Sequence, residues 1–63
     1  MKTVNLNKAT AAELQAIVHI GPIRAKQIIA GRKFRDIHEI SKLLGLGRIR
    51  MSHIINQNID IQF

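Results

Sequence analysis

The 63-residue chain has no cysteine, tryptophan or tyrosine, one proline and only four acidic side chains. Without cysteine, neither a disulfide nor a thiolate metal site can staple it. Without Trp and Tyr it lacks the aromatic platforms on which single-stranded nucleic acid is stacked. His19, His38 and His53 fall at spacings that put no two of them on adjacent turns of one helix, so no metal site is expected. No catalytic arrangement is visible, and no cofactor is implied. No apolar run approaches the roughly 20 residues that span a bilayer. The opening Met1-Lys2-Thr3-Val4-Asn5 also lacks a signal-peptide core. The expectation is a soluble cytoplasmic protein with no membrane partner.

What the sequence does have is aliphatic and basic. Apolar residues make up 46%, nearly all Ile, Leu, Val and Ala. A chain of this length forms one domain, residues 1–63, and buries only about 60% of its unfolded surface, so local signals must be good. Ten Lys/Arg against four Asp/Glu give a formal charge of +6, which points to an anionic partner.

The sequence repeats itself at an offset of 26 residues. Glu13 falls on Glu39, Ile17 on Leu43, Ile20 on Leu46, Gly21 on Gly47, Ile23 on Ile49 and Arg24 on Arg50. Two copies of one unit result, residues 10–32 and 36–57. Each opens with a helix-start signal, Thr10 with Glu13 and Asp36 with Glu39. These predict helices over Ala11–Val18 and Ile37–Leu44. Glycine-containing turns follow, and then second helices over Pro22–Arg32 and Arg48–Gln57, the first opened by a proline suited to that position. In the second helices, Ile20, Ile23 and Ile28 with Ile29 flanking, and Leu46, Ile49, Ile54 and Ile55, recur at helical spacing and are expected to be buried. Phe34, in the connector, is expected to plug the core where the units meet. Val4-Asn5-Leu6-Asn7 and Ile59-Asp60-Ile61-Gln62 alternate apolar with polar, a weak strand pattern that allows a short ladder. The fold class expected is all-α, four to five short helices.

The turns carry the functional signal. An apolar-Gly turn feeding a helix leaves unpaired N–H groups at a positively polarised helix start, a ready site for phosphate. Glycine keeps that approach open. Ile20 and Leu46 are expected to point inward and lock the turns. Arg24 and Lys26 follow the first turn, and Arg48 and Arg50 follow the second. Cations there oppose the helix dipole, a local violation that suggests function. Arg32, Lys33, Arg35 and Lys42 lie farther off and read as ordinary solvated charge.

Leu44-Gly45-Leu46-Gly47-Arg48-Ile49-Arg50-Met51 resembles the helix-hairpin-helix motif, and Val18-His19-Ile20-Gly21-Pro22-Ile23-Arg24-Ala25 resembles its partner. The opening Val4-Asn5-Leu6-Asn7-Lys8-Ala9-Thr10-Ala11-Ala12-Glu13-Leu14 is similar to the DNA-binding domain of bacterial competence proteins of the ComEA type. The resemblance runs from Thr3 to Ile61. It implies a compact tandem helix-hairpin-helix domain binding double-stranded DNA without sequence preference. It maps Gly45, Leu46 and Gly47 to one phosphate-binding hairpin and Ile20 and Gly21 to the other, with Arg24 and Lys26 as supporting cations. The sequence departs from the family at His19, which replaces a hairpin glycine but is a residue tolerant of positive φ. The anchor of members that receive DNA at the cell surface is also not seen in it. Glycosylases of the wider superfamily carry an aspartate after the hairpin and a larger body to hold a flipped base. Neither is found here, so a binding module is expected rather than an enzyme. The competing reading is a protein-interaction module, or a homodimer formed through the aliphatic residues Ile54, Ile55, Ile59, Ile61 and Phe63.

Overall fold

A computed structural model describes residues 2–63. The order of elements is β1 (Lys2–Asn5), α1 (Ala11–Leu14), α2 (Pro22–Gly31), α3 (Ile37–Leu44), α4 (Arg48–Asn56) and β2 (Ile59–Gln62).

Capping chemistry sets the helix starts. At α1 the Thr10 hydroxyl accepts from the Glu13 N–H at 3.2 Å, and the Glu13 carboxylate accepts from the Thr10 N–H at 2.9 Å, a complete capping box. At α3 the exchange is displaced by one residue. The Asp36 carboxylate accepts from His38 N–H, and the Glu39 carboxylate accepts from Arg35 N–H, outside the helix. The α3 bounds match the sequence expectation, and α2 and α4 each end one residue early. Helix α1 ends at Leu14 rather than Val18. Beyond it, Ala16 and Ile17 donate to carbonyls three residues back, which tightens the winding before the chain turns at His19.

The all-α expectation is corrected by the strands. The two ends of the chain pair in parallel, with Lys2 opposite Ile59 and Asn5 opposite Gln62, and Leu6 N–H extends the ladder to the Gln62 carbonyl. Parallel pairing requires a long crossover, and the four helices provide it. Alternation decides the faces: Ile59 and Ile61 pack on the core, while Gln62 donates to the Asp60 carboxylate at 2.7 Å.

The core unites Val4, Leu6, Leu14, Ile17, Ile28, Phe34, Ile40, Met51 and Ile54 from all parts of the chain. Leu6, Leu14, Ile28, Ile40 and Ile54 are fully buried, each contributing about 1.5–3 kcal/mol of apolar transfer. Phe34 is buried as expected, and its backbone N–H and carbonyl pair with the Asn7 side-chain amide at 2.7 and 2.9 Å. Arg32 is not free surface charge. Its guanidinium donates to the Leu6 carbonyl at 2.9 Å and also to the Ala9 carbonyl, strapping the β1–α1 connection to the end of α2.

Helical periodicity overstated the burial. Ile20, Ile28, Leu46 and Ile54 are in the core, but Ile23, Ile49 and Ile55 are 76%, 73% and 58% exposed and Ile29 is also exposed. Helices of two to three turns bury a narrow stripe, and these four fall off it.

Candidate nucleic-acid interface

The repeat seen in the sequence is a repeat of conformation at the hairpins. Gly45 closes α3 in the left-handed region at φ +64, and His19, its equivalent, stands at φ +69. Ile20 and Leu46 follow, both 5% exposed, and anchor the turns. The Ser41 hydroxyl donates to the Leu46 carbonyl at 3.1 Å, and Gln57 at the end of α4 accepts from Val18 N–H at 3.0 Å. The bends are thus tied down from beneath while their outer edges stay open.

Gly21 and Gly47 are the N-caps of α2 and α4. Both have ordinary negative φ, and a Cβ at either would meet nothing within 4 Å. Gly47, at φ −75 and ψ 172, has nearly the backbone of Thr10, at φ −75 and ψ 165. A capping side chain would therefore fit, and capping positions prefer Ser, Asp and Asn over glycine. Helices α1 and α3 use such caps and carry Glu13 and Glu39 in the first turn. Helices α2 and α4 have no side-chain cap and no acid there. Among the described residues, the N–H groups of Gly21, Ile23 and Arg24, and of Gly47, Arg48, Ile49 and Arg50, find no acceptor. Pro22 removes one donor from the first hairpin, so the second offers the fuller set. The packing around positions 21 and 47 does not itself require glycine.

The cations are arranged around these ends. Arg24 is half-buried and donates to the His19 carbonyl at 3.0 Å, which holds its guanidinium at its own turn. It shares a shallow depression with Gly21, Pro22, Ile23, Gln27 and Leu44. Arg48 and Arg50 line a matching depression with Gly47, Ile49, His19 and His53. Lys26 is exposed on α2. It is about 200° around the helix from Arg24, outside the residues lining the first depression.

A contact that sequence reasoning missed joins the first bend to the last turn of α4. His19 Nε2 and His53 Nδ1 are 2.9 Å apart, with ring centroids 5.2 Å apart and planes inclined by 21°. That centroid spacing fits rings meeting nitrogen to nitrogen, nearly coplanar, rather than face-on stacking. One ring must donate and the other accept, so at least one is neutral. His19 is held below the usual imidazole range by partial burial first, then by His53, Arg50 and Arg24. Arg24 donates to the His19 carbonyl and Arg50 lines a depression with the His19 side chain, so both arginines lie beside it. No spacing rule links positions 19 and 53, and only the repeat, which brings the two turns together, could have hinted at the pair.

Residues 1–57 match the family model described as the helix-hairpin-helix motif. The chain belongs to that family. It is 35% identical over 51 residues to a protein named deoxyribonuclease from Thioalkalivibrio sp. (strain K90mix), a match covering 81% of this chain and 14% of that protein. It is 46% identical over 48 residues to ComE operon protein 1 of Bacillus subtilis (strain 168), covering 70% of this chain and 23% of that protein. The chain spans less than a quarter of the length of either relative. No solved structure matches it.

Proposed function

We propose that this domain binds double-stranded DNA without reading sequence, by seating backbone phosphates on the exposed N–H groups of its two hairpins. One observation carries the reading. The two helices that begin at hairpins start on uncapped glycines facing open space, while the other two start on side-chain caps with acids. Arg24, Arg48 and Arg50 supply charge beside those ends. Contacts of this kind position a protein on the duplex and carry no base code. The domain is 26 Å in its longest dimension, shorter than one helical turn of DNA at about 34 Å, and His19 of one bend lines a depression with Gly47 of the other, which supports both hairpins meeting one duplex. The similarity to ComE operon protein 1 and to a protein named for acting on DNA supports the same partner.

Binding rather than cleavage fits the carboxylates. Glu13, Asp36 and Glu39 are engaged at helix starts, and Asp60 takes the Gln62 amide. The part shared with the deoxyribonuclease is 51 residues long, 14% of that protein.

The test is a titration of a random-sequence duplex followed by fluorescence anisotropy at several salt concentrations. A Kd on the order of 10⁻⁴–10⁻⁶ M at physiological salt is expected. With about four phosphates neutralised, log K should fall against log salt with a slope of about −3.6. Gly47→Val should weaken binding at least about tenfold while the helical circular dichroism persists. Unchanged binding in that variant overturns the hairpin mechanism. The second reading, a protein-interaction module, rests on the apolar depression formed by Ile37, Ile55, Ile59, Ile61 and Phe63 beside Asp60. A partner retained through complete nuclease digestion would favour it.

A further inference from the structure

Ile23 and Ile49 are equivalent positions of the two repeats and are the two most exposed large apolar side chains in the described residues, at 76% and 73%. Both stand in the first turn of a helix whose N-terminal amides are open, and each lines a depression together with the arginine that follows it, Arg24 or Arg50. An isolated exposed isoleucine needs no explanation. Two at matching places, each beside an arginine and an open helix start, do.

We infer that Ile23 and Ile49 pack against the sugars of the strand each hairpin holds, and that they make the domain select deoxyribose over ribose. This rests on the phosphate-binding reading of the same hairpins. With a phosphate over the helix start, the next group along the strand is its sugar, whose carbons are the apolar part of the backbone. A β-branched side chain is stiff about χ1, so it stands upright in water and gives up little freedom on contact. The side of the duplex follows from the hairpin spacing. His19 of the first bend lines one depression with Gly47 of the second, so the two bends lie close together, which suits the narrow minor groove better than the major groove of twice its width. The sugars edge the minor groove, and in an RNA duplex each presents its 2′-hydroxyl there. An isoleucine pressed on that hydroxyl would bury it without a hydrogen-bond partner, which is unfavourable. On deoxyribose the same contact removes apolar surface from water.

The test compares DNA and RNA duplexes of one sequence, titrated at equal salt against the wild-type domain and the double variant Ile23→Thr with Ile49→Thr. Threonine keeps the β-branch and adds a hydroxyl. Because both sites are exposed, the variant should melt with the wild type, which a thermal scan confirms. The wild type should favour DNA over RNA by about tenfold or more, and the double variant should lose most of that preference, chiefly through weaker DNA binding. A preference kept intact by the variant would assign discrimination to helix geometry and overturn the inference. Equal binding of both duplexes by the wild type would overturn it while leaving the phosphate-binding hairpins in place. Binding of neither duplex would bring down the functional reading itself, and this inference with it.

Discussion

Replacing Gly47 by aspartate should push stability and binding in opposite directions. The backbone at Gly47 already has the conformation of a side-chain cap, with nothing within 4 Å of a Cβ. An Asp there can accept from the N–H groups that open α4, just as Thr10 and Asp36 do at their helices. A capping side chain improves on glycine by a few tenths of a kcal/mol. A carboxylate at a helix start adds about 0.3–1 kcal/mol. Together they raise stability by about 0.5–1.5 kcal/mol, and at about 4–8 °C per kcal/mol for so small a domain, Tm rises by roughly 2–12 °C. The same carboxylate occupies the proposed phosphate site and repels the anion. Loss of charge-assisted hydrogen bonds of about 1.5–3 kcal/mol weakens DNA binding by about 10- to 150-fold. Differential scanning calorimetry and duplex titration on one preparation read both effects. A higher Tm with unchanged affinity would show that the open amides are not the binding site. A lower Tm would show that the helix start is not the free capping site its geometry describes.

Three further outcomes follow from particular residues. Gly45→Ala places a Cβ at φ +64 and should cost about 1–2 kcal/mol, read as a lowered denaturant midpoint. Arg32→Ala leaves the Leu6 and Ala9 carbonyls without their partner and should cost about 1–3 kcal/mol, with duplex affinity per folded molecule unchanged. His19 is held below its ordinary range by partial burial, His53, Arg50 and Arg24. With a lower folded than unfolded pKa, the unfolded chain binds more protons, so stability is full above the unfolded value near 6.5 and declines as pH falls through it. A bound phosphate opposes that shift, so duplex binding should tighten from pH 7.5 to 5.5 in the wild type and lose this dependence in His19→Gln with His53→Gln.

The hairpins were legible because their signals are local and duplicated. The 26-residue offset puts Gly21 over Gly47 and His19 over Gly45. The structure gives His19 and Gly45 the same left-handed φ. Thr10 with Glu13 marked a true capping box, and Asp36 marked α3 although its partner is displaced. Apolar periodicity failed at Ile23, Ile49 and Ile55, because spacing shows which residues share a helix face and not whether anything covers that face. The strand pair was faint, since four alternating residues at each end carry little weight until their partners, separated by nearly the whole chain, are known. Arg32 read as surface charge because its acceptors are backbone carbonyls, which leave no trace in a sequence.

The central claim is that phosphates sit on the open amides of both hairpins. Its most direct test is an amide-resolved NMR titration of the domain with a short random DNA duplex. The largest shifts should fall on Gly21, Ile23, Arg24 and Gly47 through Arg50, and should fade as salt rises. Shifts centred instead on β2 and Ile55, or a spectrum that does not change at millimolar duplex, would contradict it.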